Sequence, residues 1–565
     1  MSTAGPGGVD PPASSGVERP ASSGVERILD HSVIRAVRVG MSDTQRFLLL
    51  SVLIGLFAGL LVTAFHISIE LLSWNVLGTP AGVRSVPTVL GPALGAGLAG
   101  LFVLYAAKSA RGSGINYTKT AIYVSDGHIP AGSVAGKFIA CSVAIGSGAP
   151  LGPEDPALQM GAGIASLLGR AFRLSREHTR LIAPVGAAAG IAAAFNTPIT
   201  AVLFVIEEVL SGWSAGVLGS IVLSAVSASV VTRSFLGDEP LFRVPTFTLT
   251  DPSELVVYAA IGLLGGLLGA AYTEGLLRFR TRSRFLHKGF SAFLPFIAGL
   301  AVGLVAWWLP GVLGTGYPVI DSALHDEFAW PSLMVLGLAK AALTAICFTA
   351  GVPGGLFAPT LFVGAMVGGG LGGLATAYWP VPTSPPSAYV LVGMGTFFAA
   401  VFRTPMTSIF MVFEVSATYV IILPVMVANT IAYLVSRALR PESLFEGLNA
   451  QDGLRFPSPD EMRERRVPRV EDLMTPAPPE SEAQHAFLPE VHPDEPLDQA
   501  MGMLRTHPTL LVVSRGAKRR TLGILTRERV LTWFGMTPPA PPPAAPADAA
   551  PPPASATPAP PMEPR

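Results

Sequence analysis

Charged residues are scarce in this sequence of 565 residues. Asp, Glu, Lys and Arg together make up 13% of the chain, whereas hydrophobic residues make up 50%. A soluble globular domain carries roughly 25% charged residues. The shortage of charge argues against a large soluble enzyme, and we expect no enzymatic activity.

The sequence also lacks a basic excess and has little cysteine. Lys plus Arg and Asp plus Glu both number 38, so the charge does not favour a nucleic-acid partner. Cys141 and Cys347 both lie in apolar runs, which excludes a disulfide framework and a CxxC site. We interpret both as small core residues. The nine histidines are scattered without metal-ligand spacing, so we expect neither a metal site nor a cofactor.

Long uncharged stretches are what the sequence has in place of charge. A membrane span needs about 20 apolar residues, and a charge at its centre costs several kcal/mol. Several gaps between charged residues are long enough, namely 47–69, 85–107, 181–206, 209–232, 255–273, 289–320, 341–402 and 415–436. The pattern predicts an all-α polytopic membrane protein, with its membrane domain over residues 39–450.

The segments that flank this domain predict its orientation. Arginines at 27, 35, 38 and 46 precede the first span, and a second basic cluster occupies 278–288. The positive-inside rule places both on the cytoplasmic face. Residues 1–45 contain no apolar region typical of a cleavable signal peptide. We therefore expect a multi-pass protein of the plasma (inner) membrane, with both termini cytoplasmic and surrounded by membrane lipid.

Three further segments lie outside the membrane domain. Residues 1–38 and the Pro- and Ala-rich residues 538–565 are predicted to be disordered tails, because they cannot bury a core. Residues 455–537 are mixed in composition and contain short apolar runs. They predict a small cytoplasmic α/β module.

Two Gly- and Pro-rich patterns recur along the membrane domain. Residues 148–156 and 351–359 share the pattern GxPxGxxxP, 203 residues apart. A second pair, 197–207 and 404–414, runs from Thr-Pro to a glutamate and is 207 residues apart. Two pairs with nearly the same offset indicate a duplicated unit with broken helices, a pattern typical of transporters.

The breaks have a chemical consequence. Gly and Pro interrupt helices, and irregular backbone inside a membrane must be buried in protein or line a polar cavity. We expect Pro156 and Pro359 at the first helical position, so that the preceding N–H groups lie at a helix N-terminus. Such a terminus binds anions without Lys or Arg. The alternative is that these glycines serve only close helix packing.

Four motifs, in order, resemble those of the CLC family of chloride channels and chloride/proton exchangers. Gly112 to Asn116 resembles the family's GSGIP, and Gly152 to Pro156 resembles its GREGP. Phe195 to Pro198, followed by Glu207 and Glu208, is similar to the helix that carries the inner proton site. Gly355 to Pro359 fits GxFxP. The resemblance covers about residues 46–448.

The resemblance implies an inverted-repeat CLC-like fold and a homodimer with one anion pathway in each subunit. It assigns anion binding to the Ser113 hydroxyl and to the backbone amides of Leu356 and Phe357. Glu154 would be the gate, because its carboxylate can occupy an anion site when ionised. Glu208 would be the inner proton-transfer residue, at a position where many channels have an apolar side chain.

Four residues depart from the family pattern. Asn116 replaces Pro, Pro153 and Asp155 replace the Arg and Gly that flank the gate, and Phe445 replaces an anion-coordinating Tyr. A second carboxylate beside the gate would oppose anion entry. Either Asp155 points into polar surroundings, or transport is slow, differently selective or gated at another pH. The loss of the Tyr hydroxyl removes one donor. Because Ser113 is retained, we expect chloride or a similar small anion as the substrate.

Residues 455–537 resemble one CBS module. Such modules normally occur in pairs and can bind adenine nucleotides, so we expect this copy either to pair with its equivalent across the dimer or to be degenerate. Three functions remain open from the sequence. They are chloride/proton exchange, a passive anion channel of the same architecture, and a membrane-anchored nucleotide-sensing protein whose transport has decayed.

Overall fold

The computed structural model divides into two compact units, with the boundary between residues 459 and 460. It describes residues 43–78, 85–172, 174, 176–210, 215–245, 251, 253–283, 291–379, 383–454, 456, 469–476, 487–495, 497–504, 506–515 and 520–533. The two segments predicted to be disordered tails lie outside these residues.

The first unit is helical. Its helices are α1 Asp43–Leu77, α2 Val86–Tyr105, α3 Gly114–Val124, α4 Ala131–Gly146, α5 Glu154–Ala171, α6 Arg176–Phe195, α7 Pro198–Phe204, α8 Ala215–Leu236, α9 Glu254–Ser283, α10 Leu294–Ala306, α11 Tyr317–Leu324, α12 Trp330–Ala350, α13 Phe357–Tyr378, α14 Pro386–Phe402, α15 Pro405–Ser416, α16 Ile422–Leu439 and α17 Leu444–Gln451. Within the described residues, seven helices are long and apolar enough to cross a membrane. The unit is therefore a multi-pass membrane domain.

The two signature motifs do break the chain, but the helices start earlier than expected. Helix α5 begins at Glu154 and α13 at Phe357, so Pro156 and Pro359 are the third helical residues rather than the first. The expectation was wrong because the first four N–H groups of a helix all lack an intrahelical acceptor. Proline at the third position therefore sacrifices no helical hydrogen bond.

Glycines bring α5 against α6 and, in the second repeat, α13 against α14. A Cβ atom on Gly161 would lie 2.1 Å from the carbonyl oxygen of Gly186, and one on Gly364 would lie 2.4 Å from that of Gly393. Both pairs fall at equivalent places in the two repeats. Small residues that allow such close contact are typical of membrane helix pairs, so part of the glycine content does serve packing.

The two repeats meet through reciprocal backbone bonds. The Gly152 N–H donates to the Gly355 carbonyl at 2.9 Å, and the Gly355 N–H donates to the Gly152 carbonyl at 2.8 Å. This antiparallel bridge joins the two Gly- and Pro-rich motifs directly. A contact that each half makes identically with the other is the mark of two-fold symmetry. The fold is an inverted repeat with broken helices.

A second reciprocal contact joins α7 and α15. The Glu207 carboxylate accepts hydrogen bonds from the backbone and hydroxyl of Thr407 at 2.9 and 2.8 Å. The Glu414 carboxylate accepts the equivalent bonds from Thr200, both at 2.6 Å. Each glutamate thus caps the helix N-terminus of the opposite repeat, where a negative charge is stabilising.

The second unit is a small α/β structure. Its elements are α18 Val470–Leu473, β1 Thr475–Pro476, β2 Glu490–Val491, α19 Leu497–Leu504, β3 Thr509–Val513, β4 Thr521–Thr526 and α20 Arg527–Trp533. The strand order is β1-β4-β3-β2, with β2 and β3 parallel and the other pairs antiparallel. An apolar core of its own includes Leu497, Leu510 and Leu525. The predicted α/β architecture is confirmed.

Candidate functional site

The Glu154 carboxylate lies at the N-terminus of α13. Glu154 is fully buried, and its Oε2 accepts a hydrogen bond from the Ala358 N–H at 3.3 Å. Its Oε1 accepts a hydrogen bond from the Tyr317 hydroxyl. Glu154, the first residue of α5, thus places its carboxylate at the start of α13, which is the equivalent helix in the other repeat. A helix N-terminus carries partial positive charge, and its first N–H groups have no intrahelical acceptor.

Tyr317 is a site residue that sequence reasoning missed. It is the first residue of α11 and follows Gly316, whose φ of +88° lies in the left-handed region that glycine tolerates. The Tyr317 ring packs edge-on against Phe242 at 6.0 Å. The repeat offset of 203 residues could have identified it, because this offset relates Gly114, the first residue of α3, to Tyr317, the first residue of α11.

Asp155 lies at a different helix N-terminus, that of α3. Its Oδ1 accepts hydrogen bonds from the Ser113 hydroxyl at 3.1 Å and from the Ile115 N–H at 2.7 Å. Asp155 is fully buried. The structure therefore shows that Asp155 points into polar surroundings, which leaves its effect on anion entry open. Pro153 is the N-cap residue of α5 and directly precedes the two acidic residues.

Two buried lysines support the short helices α3 and α11. The Lys137 ammonium donates to the carbonyls of Ala110 and Gly112 at 3.1 and 2.7 Å, just before α3. The Lys340 ammonium donates to three carbonyls at 312–314, just before α11. Both lysines are fully buried and occupy equivalent places in the repeats. They hold the backbone that leads into each short helix.

Leu356 and Phe357 lie at the start of α13, and both are buried. The Phe357 ring is the centre of an aromatic cluster with Phe195, Phe204, Phe398, Phe402 and Phe445. The Phe445 ring stacks on Phe402 at 4.8 Å with an interplanar angle of 11°. Asn116 reaches this cluster, because its Nδ2 donates to the Phe445 carbonyl at 3.3 Å. Phe445 thus contributes its aromatic ring to this cluster and its backbone carbonyl to the hydrogen bond with Asn116.

Glu208 forms a buried ion pair with Lys119. The Lys119 Nζ lies 2.5 Å from Glu208 Oε1, and the side chains are 6% and 9% exposed. Glu208 belongs to a π-helical turn, Val205–Val209, that follows α7. Such turns often occur at functional sites. Sequence reasoning missed Lys119, although it is a single lysine in an otherwise uncharged α3.

Helix α3 lies between the two acidic positions. Ser113 contacts Asp155 at its N-terminus, Asn116 contacts Phe445, and Lys119 contacts Glu208. Residues spaced by three along a helix lie close to one face. One side of α3 therefore provides a line of polar groups between the gate region and the buried ion pair.

The remaining sequence predictions concern cysteines and metals. Cys141 and Cys347 are free thiols with fully buried side chains, as expected for core residues. Within the described ranges, there is no group of three or more His, Cys, Asp or Glu residues that could hold a metal ion.

A family comparison matches residues 94–437 to the family described as voltage gated chloride channel. A putative chloride channel protein ClcB-like from Ralstonia nicotianae is 34% identical over 420 residues, which cover 72% of this chain and 97% of that protein. An H(+)/Cl(-) exchange transporter ClcA from Vibrio cholerae is 30% identical over 422 residues, which cover 71% of this chain and 88% of the relative.

Solved structures share the fold. A slow cyanobacterial Cl-/H+ antiporter superimposes with a TM-score of 0.65 and 24% identity, covering 72% of this chain and 98% of that chain. A CLC-type fluoride/proton antiporter superimposes with a TM-score of 0.60 and 23% identity, covering 71% and 97%. At this level of identity the similarity establishes the architecture.

Proposed function

This chain belongs to the voltage-gated chloride channel family, and on that basis we propose that it exchanges chloride for protons across the membrane. Relatives that match over most of their length are named H(+)/Cl(-) exchange transporters. The proposal assigns the gate to Glu154 and inner proton transfer to Glu208. It includes a homodimer with one pathway in each subunit, in the inner membrane with cytoplasmic termini.

The observation that carries the proposal is the Glu154 carboxylate on the N-terminus of α13. An ionised carboxylate and a halide have the same charge and use the same donors, so they compete for this terminus. Protonation of Glu154 removes its charge and thereby its advantage over the halide. One side chain then couples the movement of a proton to that of an anion.

The anion donors in this scheme are backbone groups. The N–H groups of Leu356 and Phe357 lie at the beginning of α13, where helical N–H groups have no intrahelical acceptor. The Ser113 hydroxyl, at the start of α3, adds a side-chain donor. Helix termini of this kind bind a small anion without a cationic side chain, which suits the low dielectric of the membrane interior.

A flux experiment tests the exchange. Purified protein in liposomes is given a chloride gradient while the external pH is recorded, for the parent and for Glu154→Gln. We expect chloride to move protons against their gradient in the parent. In Glu154→Gln, chloride flux should persist and proton movement should be lost, because Gln cannot ionise. Proton movement that survives in the variant would contradict the role of Glu154.

The role of Glu208 has a matched control in its neighbour. Glu208→Gln should lose chloride-driven proton movement while chloride still moves. Glu207→Gln changes the adjacent glutamate, which caps the start of α15. We expect it to keep the ratio of chloride to protons and to lose about 0.3–1 kcal/mol of stability, because Gln keeps an acceptor but loses the negative charge at the helix N-terminus. Equal losses of coupling in both variants would contradict the assignment.

A passive anion channel is the second candidate function. Lys119 favours it, since an ammonium beside Glu208 stabilises the ionised carboxylate and opposes the uptake of a proton. Chloride flux that ignores an imposed pH gradient, and that Glu208→Gln leaves unchanged, would establish the channel and reject the exchanger.

A further inference from the structure

The donors at the N-terminus of α3 are already occupied by a residue of the same chain. The Ser113 hydroxyl has one proton, and it is donated to Asp155 Oδ1. The Ile115 N–H, which a helix leaves without an intrahelical acceptor, is donated to the same oxygen. An anion that uses these donors must first replace the Asp155 carboxylate.

The Asp155 carboxylate is only partly satisfied. Its second oxygen, Oδ2, is buried and has no hydrogen-bond partner within the described part of the chain. Asp155 is fully buried, and the positive charge that acts on its carboxylate is the buried Lys137 ammonium. A buried polar atom without a partner is costly and needs an explanation beyond simple stabilisation. A side chain that competes with a ligand for a shared site supplies one.

The backbone that carries Asp155 is tightly confined. A Cβ atom on Gly114 would lie 2.3 Å from the Asp155 carbonyl oxygen, and one on Gly355 would lie 2.7 Å from Asp155 Cβ. Both the α3 N-terminus and the second motif therefore pack directly against this residue. Only rotation of the side chain can release the donors, and a competitor attached so closely has a high effective concentration.

The repeat gives Asp155 no counterpart. The equivalent residue in the second repeat is Ala358, which is also fully buried and lies at the same position of its helix. The architecture of the broken helix therefore does not require a carboxylate at this position. Its presence in one repeat alone points to a role in the pathway.

We propose that Asp155 is a second tethered anion, which occupies the Ser113 and Ile115 donors and weakens halide binding there. The inference rests on the proposed function and adds a specificity-determining residue to it. Glu154 then competes with the halide at the start of α13, and Asp155 competes with it at the start of α3. Transport is slowed because the halide must displace two carboxylates held on consecutive residues.

Equilibrium binding and flux test this proposal together. Full-length protein in detergent is titrated with sodium chloride by calorimetry, and the same preparations are assayed for chloride flux in liposomes. Asp155→Gly removes the competitor, and Asp155→Asn keeps its shape without the charge. We expect chloride to bind about tenfold more tightly to Asp155→Gly, a difference of one decade in Kd. Asp155→Asn should fall between this variant and the parent, and turnover should rise in the same order.

Glu254→Gln is the matched control. Glu254 is another fully buried carboxylate that accepts hydrogen bonds from a serine amide and hydroxyl, those of Ser384 at 2.8 and 2.6 Å. The Glu254→Gln substitution removes a buried charge from a different part of the fold. Its chloride affinity should equal that of the parent. Tighter binding in Glu254→Gln as well would overturn the proposal, since the gain would then follow from loosening the fold.

Ser113→Ala separates competition from a structural role. Its cost in chloride affinity should be larger in Asp155→Gly than in the parent, because the parent's hydroxyl is engaged by Asp155. Equal costs in both backgrounds, or failure of both Asp155 variants to fold, would overturn the proposal.

The remaining outcomes separate this proposal from the proposed function. Coupled exchange in the parent with unchanged affinity in the Asp155 variants overturns the inference and leaves the exchange intact. Flux that appears only in the Asp155 variants supports the inference. Absence of chloride binding and flux in all of them overturns both.

Discussion

The two repeats have matching backbones at their central breaks but carry different side chains there. The first repeat starts its broken helix with Glu154 and Asp155, whereas the second starts the equivalent helix with Phe357 and Ala358. Reciprocal hydrogen bonds between Gly152 and Gly355 hold both helix starts at the same junction. One repeat thus provides the acids, and the other provides a helix terminus that receives one of them.

Other polar pairs are symmetric. Lys137 and Lys340 both bind backbone carbonyls that precede a short helix, and Glu207 and Glu414 both cap a helix of the opposite repeat. Glu208, in contrast, has Val415 as its counterpart. The symmetric charges thus build the fold, whereas the asymmetric carboxylates Glu154, Asp155 and Glu208 are the candidates for transport.

The largest effect is expected from the asymmetric ion pair of Lys119 and Glu208. Lys119→Met removes one partner of a buried pair and leaves an uncompensated carboxylate. We expect a loss of about 3–5 kcal/mol of stability, measured by thermal unfolding in detergent.

The double variant Lys119→Met with Glu208→Gln provides the control for this pair. It leaves no unpaired charge, so most of the lost stability should return. A double variant as unstable as Lys119→Met would show that Lys119 acts through packing rather than through Glu208.

A smaller effect is expected from the symmetric lysines. Lys137→Met and Lys340→Met each leave one buried carbonyl and at least one partly buried carbonyl without this donor, which costs about 1–3 kcal/mol. Lys340→Met tests the loss of the three carbonyl bonds alone, whereas Lys137→Met should lose more, because Lys137 also compensates the buried Asp155 carboxylate. Tryptophan fluorescence during thermal unfolding measures both, with the exposed Lys108→Met as an unaffected control. A loss of stability in one lysine variant but not in the other would contradict equivalent structural roles for the two lysines.

The smallest effect is expected at Phe445, a position where the family pattern has Tyr. Phe445→Tyr adds a hydroxyl to a ring 6.4 Å from Phe357, whose amide we propose as an anion donor. One added hydrogen bond should strengthen chloride binding by about 0.5–1.5 kcal/mol. Calorimetric titration measures the change, and Phe65→Tyr, which alters a buried ring of α1 packed against Phe138, serves as the control. Weaker chloride binding in Phe445→Tyr would show that the apolar cluster itself favours the anion.

Sequence patterns were most informative where the chemistry is local. Gly and Pro at 148–156 and 351–359 predicted broken helices and a duplication, and the structure contains both. The start of each broken helix was misplaced by two residues, because proline is tolerated throughout the first turn. Lys119 and Tyr317 were missed, because no motif around either residue indicates that it contacts a distant glutamate.

What the sequence determined by itself was the membrane class, the two breaks, the repeat and the acidic residues near them. These follow from hydropathy and backbone preference, which act over a few neighbouring residues. Only the tertiary structure decided which helix start each carboxylate occupies and which cation faces Glu208. Those partners are separated by 42, 204 and 89 residues along the chain, and no local pattern encodes their meeting.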